Sequence, residues 1–209
     1  MTPLTRLIRP CRWLLALLPS ACALAPPQAG APHTYTLDLP RPGVWARPAG
    51  DRVLAVMPVH AAPPYQGDAM VYRRRPHELQ AFAHHRWQAP PARLLEPLLV
   101  AALAADGAYR AVLRGDPLGV ADRRLDLELS AFYQDFTRLP SRVRVGLRAR
   151  LMDMRRRRLL GTVSLTEEAE APSDDPYGGV IAYHRALQRL IPRLGAFLRG
   201  REGIGGEAR

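Results

Sequence analysis

Two consecutive runs set the pattern of this chain. Arg124–Phe136, R-L-D-L-E-L-S-A-F-Y-Q-D-F, places Leu125, Leu127, Leu129 and Ala131 against Asp126, Glu128 and Ser130. Ser141–Met154 alternates Val143, Val145, Leu147, Ala149 and Leu151 with Arg142, Arg144, Arg148 and Arg150. A period of two puts successive side chains on opposite faces, so each run reads as a strand with one apolar and one solvated face. Leu159–Leu165 closes the sheet after a tight basic connection, Arg155–Arg158. Alternation in long neighbouring runs predicts an antiparallel meander.

Helical spacing appears twice. Leu94, Leu95, Leu98, Leu99, Ala102 and Leu103 recur three and four apart within Pro90–Ala105, which begins on two prolines and ends at Asp106-Gly107. Ile181, His184, Leu187, Leu190, Ile191, Leu194 and Leu198 repeat the pattern in Val180–Leu198, after the start signal Asp174-Asp175-Pro176. Pro97 and Pro192 predict a kink in each helix. Earlier in the chain, Thr34–Leu39, Asp51–Val59 and Tyr109–Leu113 read as strands, and Ala69–Tyr72 with Leu79–Phe82 as a hairpin across a basic turn. Gly115–Gly119 is a turn. Pro58 marks an edge or a bulge. The expected fold is α+β: one antiparallel-dominated sheet with two helices packed on one face, preceded by a signal peptide and a Pro-rich tether.

The opening residues change that picture. Arg6, Arg9 and Arg12 precede the apolar run Trp13–Leu18, and small or turn-forming residues follow. This is the three-part layout of an export signal, far too short to span a bilayer. Leu18-Pro19-Ser20-Ala21-Cys22 resembles a bacterial lipobox, with Pro19 where Leu is usual. Cys22 is then the lipid-attachment residue, and a lone N-terminal thiol with no partner in the domain suits that role. The rival is ordinary cleavage after Ala21-Cys22-Ala23, leaving a soluble chain that starts at Leu24. The expected division is a signal peptide at 1–21, a lipid-anchored Pro/Ala/Gly-rich tether at 22–33, the α+β domain at 34–199 and a disordered tail at 200–209.

The 209-residue chain has a formal net charge of +11, and all 30 of its basic residues are Arg. Loss of the three signal arginines, in a segment with no Asp or Glu, leaves 11 − 3 = +8. Arg73–Arg75 and Arg155–Arg158 read as charged hairpin tips. In an exported chain any phosphates they met would be lipid headgroups rather than nucleic acid. His84 and His85, adjacent on a strand, point apart and cannot chelate one metal. There is no nucleophile elbow, zinc-helix or P-loop motif, so neither catalysis nor a cofactor is expected. Tyr72 and Trp87, close to the hairpin loops, are the candidate partner or lipid contacts.

Taken together, these segments resemble the ABC-type transport auxiliary lipoproteins, which include the paraquat-inducible protein C-like lipoproteins. The resemblance runs from about Tyr35 to Leu198. It rests on Cys22 and its lipobox, Tyr35-Thr36-Leu37, Met70-Val71-Tyr72, Trp87 followed by Pro90-Pro91 and a Leu-rich helix, the Leu125–Phe132 strand and the last helix. It implies a non-enzymatic envelope lipoprotein, on the outer rather than the inner membrane. Its partners would be an ABC transporter permease and ATPase and a mammalian-cell-entry (MCE) domain protein that carries lipid between membranes. A homo-oligomer suits a part docking on a channel-like partner, although no residue specifies one. The alternative is a soluble periplasmic ligand-binding protein or enzyme, with a concave pocket of converging polar groups.

Overall fold

In the computed structural model, residues 31–39, 50–115 and 119–203 are described. Along the chain the strands are β1 (His33–Tyr35), β2 (Val53–Val56), β3 (His60–Ala61), β4 (Ala69–Arg75), β5 (Glu78–Trp87), β6 (Ala111–Arg114), β7 (Arg123–Asp135), β8 (Arg142–Asp153) and β9 (Arg158–Glu170). Helix α1 (Pro91–Ala105) follows β5 and α2 (Pro176–Glu202) follows β9.

β7 is the spine of the mixed sheet. One edge pairs antiparallel with β8 at twelve positions, and β8 pairs antiparallel with β9 at twelve more. The other edge is shared by three short parallel partners, β2 near Leu125, β3 near Leu129 and β4 near Asp135. β6 extends the sheet beyond β2, and β5 with β1 extend it beyond β4. The long pairings are therefore antiparallel, and the parallel ones are brief. Both helices join one core with the sheet. Leu95, Leu99 and Leu103 of α1 are buried, as are Tyr183, Leu187, Leu190 and Leu194 of α2. Trp87, Phe132 and Tyr183 form its aromatic centre, with ring centroids 4.2 to 5.4 Å apart. Contacts of this kind add about 1 kcal/mol each beyond the area they bury.

The expected elements all form, with shifted ends. β1 stops at Tyr35 because the backbone turns toward α2, where Asp38 N–H donates to His184 Nε2 (2.9 Å). Of the run 51–59 only Val53–Val56 forms a strand, β2, and the two-residue β3 follows beyond it at His60–Ala61. Pro58, which has no N–H to give a ladder, lies between them. β5 runs on through His84, His85 and Arg86 to Trp87. Both helices continue through Pro97 and Pro192. Asp175 caps α2 by accepting from Gly178 N–H at 2.7 Å.

The predicted face of Ala131 is corrected by a bulge between Leu129 and Ala131. One extra residue reverses the phase, so Phe132 and Gln134 point inward instead. Gly146 faces the bulge. A Cβ there would lie 2.7 Å from Ser130 Oγ, so only glycine leaves room.

α2 also continues past Leu198, where a tail is expected, and the reason lies at Glu202. Its side chain is 1% exposed and pairs with Arg123 (2.7 Å) and Arg52. Tyr109 donates its hydroxyl to the same carboxylate (3.4 Å). Arg123, itself 7% exposed, also pairs with Asp153 (3.1 Å). Burial pulls the Arg123 guanidinium below its ordinary value and Arg52 adds to this, while Asp153 opposes it. Burial also pushes the Tyr109 hydroxyl well up. Gly203 then ends the helix with a positive φ of 72°.

The free edge of β9 is covered in part by α2. Arg189 donates to the Glu168 carbonyl (2.5 Å) and Arg193 to that of Thr166 (3.1 Å). Long charged side chains over an edge discourage pairing with another sheet.

Two outcomes follow. Glu202→Ala leaves Arg123 buried with half its partners, and should cost about 3 kcal/mol. For a domain of this size that lowers the thermal midpoint by roughly 10 °C, measurable by circular dichroism. Arg189→Ala combined with Arg193→Ala should leave the midpoint nearly unchanged and increase aggregation on warming, followed by light scattering.

Candidate functional site

The two ends of β7 carry different surfaces. At the Asp135 end the inner face of the β4–β5 hairpin continues the core as a half-exposed band of rings. Tyr72 lies 4.4 Å from Phe82 and 6.0 Å from Phe136. Phe82 meets His85 at 6.0 Å, and His85 stacks on His33 and Tyr35. Tyr35 reaches Tyr177, at the start of α2, at 6.5 Å. Basic groups flank the band. The Arg74 guanidinium sits 5.5 Å over Tyr72, and Arg73 pairs with Asp135.

At the Arg123 end the outer face of the sheet forms an open concavity of about 1100 Å³. Its floor holds Arg124, Asp126, Glu128, Arg148 and Arg150, and its walls are residues 119–122 and the β8–β9 turn. Most of this charge is paired: Arg124 with Asp126 (2.8 Å), Arg148 with Glu128 (3.1 Å) and Arg155 with Asp122 (2.7 Å). Asp126 and Glu128 are thus the strand-face carboxylates that the alternation predicts. Among the described residues no group of three or more His, Cys, Asp or Glu is placed to hold a metal, and no helix is long and apolar enough to cross a membrane.

The sequence profile of the ABC-type transport auxiliary lipoprotein component matches residues 35–194, from the last residue of β1 to deep within α2. The chain belongs to this family. The resemblance seen in Tyr35-Thr36-Leu37, Trp87 with Pro90-Pro91 and the Leu125–Phe132 strand is therefore a family relationship. Solved structures share the fold. Protein XCC0632 from Xanthomonas campestris is 22% identical, with a TM-score of 0.68 over 83% of this chain and 95% of its own. An uncharacterized protein is 17% identical, with a TM-score of 0.66 over 80% of this chain and 99% of its own. No curated protein matches the chain.

In this auxiliary lipoprotein component the sequence-derived candidates separate. Cys22 lies outside the described residues. Tyr72 is half-buried within the aromatic band, and its hydroxyl donates to Gln80 Oε1 (2.5 Å). Trp87 is 1% exposed and stacked in the core, so its ring offers a partner no surface. The reason is the lengthened β5, which carries Trp87 inward beside Phe132. His84 is exposed and His85 turns into the band. The remaining members, Tyr35, Phe82, Phe136 and Tyr177, are scattered over 143 positions of the sequence. Only Tyr72 and Phe82, in paired hairpin strands, carry a local signal.

Burial lowers the His85 imidazole below its ordinary value of 6.5, and His33 and His84 add to this while Asp175 opposes it. Between the depressed value and 6.5 the unfolded chain binds more protons than the folded one. Stability is therefore complete above 6.5 and is lost as pH falls through the folded value. An NMR titration should place the His85 midpoint below 6.5, and His85→Gln should flatten the acid-side fall in denaturation midpoint.

Proposed function

We propose that this protein is a lipid-anchored, non-enzymatic accessory module of an ABC transport system that moves lipid across the bacterial envelope with an MCE-domain partner. Cys22 is its acylated N-terminus, and the outer membrane holds the anchor. The observation that carries this reading is the family match over residues 35–194, downstream of a lipobox-like Leu18-Pro19-Ser20-Ala21-Cys22. The structure is compatible with binding rather than catalysis. The carboxylates of the concavity floor and of the α2 start serve as arginine partners and caps. The burial of one side of a mixed sheet under two helices leaves its charged face and its two ends to meet partners.

A second reading draws on the concavity of about 1100 Å³, where Arg150 and Arg157 have no carboxylate partner among the described residues. That would suit a soluble periplasmic ligand-binding protein. The two readings divide at the N-terminus. Expressed in a Gram-negative host, the mature chain should begin at acylated Cys22 by intact mass. Cys22→Ala should turn an attachment that only detergent releases into a weak one that high salt releases. An unacylated chain beginning at Leu24 would favour the second reading.

A further inference from the structure

Large apolar side chains exposed among the described residues gather at the two ends of β7. Leu79, Leu139 and Tyr177 are 41%, 70% and 61% exposed near the Asp135 end. Val120, Met154 and Leu159 are exposed near the Arg123 end. Each end also has arginines without a carboxylate partner. At the Asp135 end these are Arg74, Arg75 and Arg138. The acidic groups there are already engaged: Asp135 by Arg73, Glu78 by Gln80, Asp174 by Ser141 N–H and Asp175 by Gly178 N–H.

Two observations distinguish the Asp135 end. First, it has the aromatic band, at whose margin Tyr177 presents an exposed phenol ring. Tyrosine is the side chain that settles at a membrane–water boundary, its ring in the apolar layer and its hydroxyl in the headgroups. Second, the start of the first strand faces this side. β1 runs parallel to β5, with His33 opposite His85, and β5 begins at Glu78. Seven residues of β5 separate His85 from the β4–β5 turn, roughly 23 Å. The eleven residues back to Cys22 reach at most roughly 36 Å.

We infer that the Asp135 end of the domain, presenting Leu79, Leu139 and Tyr177 with Arg74, Arg75 and Arg138, rests on the anionic surface of the membrane that holds the lipid anchor. This rests on the reading of Cys22 as that anchor. The leucines enter the boundary between headgroups and acyl chains, and the guanidinium groups lie against lipid phosphates. The acyl chains and the protein surface then act as two weak attachments joined by a short chain. This fixes which end of the domain faces away from the membrane: the Arg123 end, with its concavity, is turned toward the periplasm.

The test uses the full-length Cys22→Ala chain, which has no acyl group, in flotation with vesicles of phosphatidylethanolamine and phosphatidylglycerol. The chain should float with these vesicles and not with phosphatidylcholine alone. Leu79→Asp with Leu139→Asp should abolish flotation. Arg74→Ser and Arg75→Ser should each weaken it about fivefold. Met154→Asp with Leu159→Asp, at the opposite end, should leave it unchanged. These positions are exposed, so unchanged thermal midpoints will show that each variant folds. The inference is overturned if the parent chain does not float, if the Leu79 and Leu139 variant still floats, or if the opposite-end variant loses binding. It is also overturned if the Leu79 and Leu139 changes dissolve an oligomer in vesicle-free solution, because the patch would then belong to a second copy. Failure of the anchor itself reads separately, as an unacylated mass for the wild-type chain.

Discussion

The architecture depends on both edges of β7 being paired, one along the strand and the other at three places. On one side a single long neighbour satisfies its backbone. On the other, three short strands do so in turn. A buried strand must have every peptide group paired, so β2, β3 and β4 cannot be exchanged for irregular loops without stranding polar groups beside the core. This requirement divides the sheet into two wings. The β4–β5 hairpin lies on the shorter-paired side, and Tyr72 and Phe82 on it stay half exposed.

Charge is distributed by the same geometry. Every basic side chain is an arginine, whose planar fork matches carboxylates well. On the solvated face Arg142, Arg144 and Arg148 meet Glu170, Glu168 and Glu128 across neighbouring strands. Such exposed pairs contribute under about 1 kcal/mol each. They serve mainly to prevent like charges from facing one another along the ladder. The buried cluster around Glu202 is of another kind. It joins the last turn of α2 to β7, β8 and residue Arg52 before β2, and so closes the end of the core that the helix would otherwise leave open.

Membership of the transport auxiliary lipoprotein family agrees with a molecule built to bind. Its polar groups are committed to pairing and capping, and its unpaired features are surfaces at two opposite ends. One end carries the aromatic band. The other is a charged concavity, partly neutralised within itself.

By itself the sequence determined the α+β class, the meander and the two helices. These follow from periodicities of two and 3.6 and from residues adjacent in the chain, so local physics suffices. It also determined that Asp126 and Glu128 are solvated and that Asp175 caps a helix. Only the tertiary structure decided the rest. The bulge at Ser130 turns Phe132 rather than Ala131 inward, and whether an extra residue is tolerated depends on Gly146 in the facing strand. Trp87 becomes core because β5 outgrows its local signal by pairing with β1 and β4. Glu202 is helical because Arg123 and Arg52, 79 and 150 positions away, supply the opposite charge. The aromatic band could not be read from the chain, since its rings come from five separate segments and acquire meaning only when the sheet brings them together.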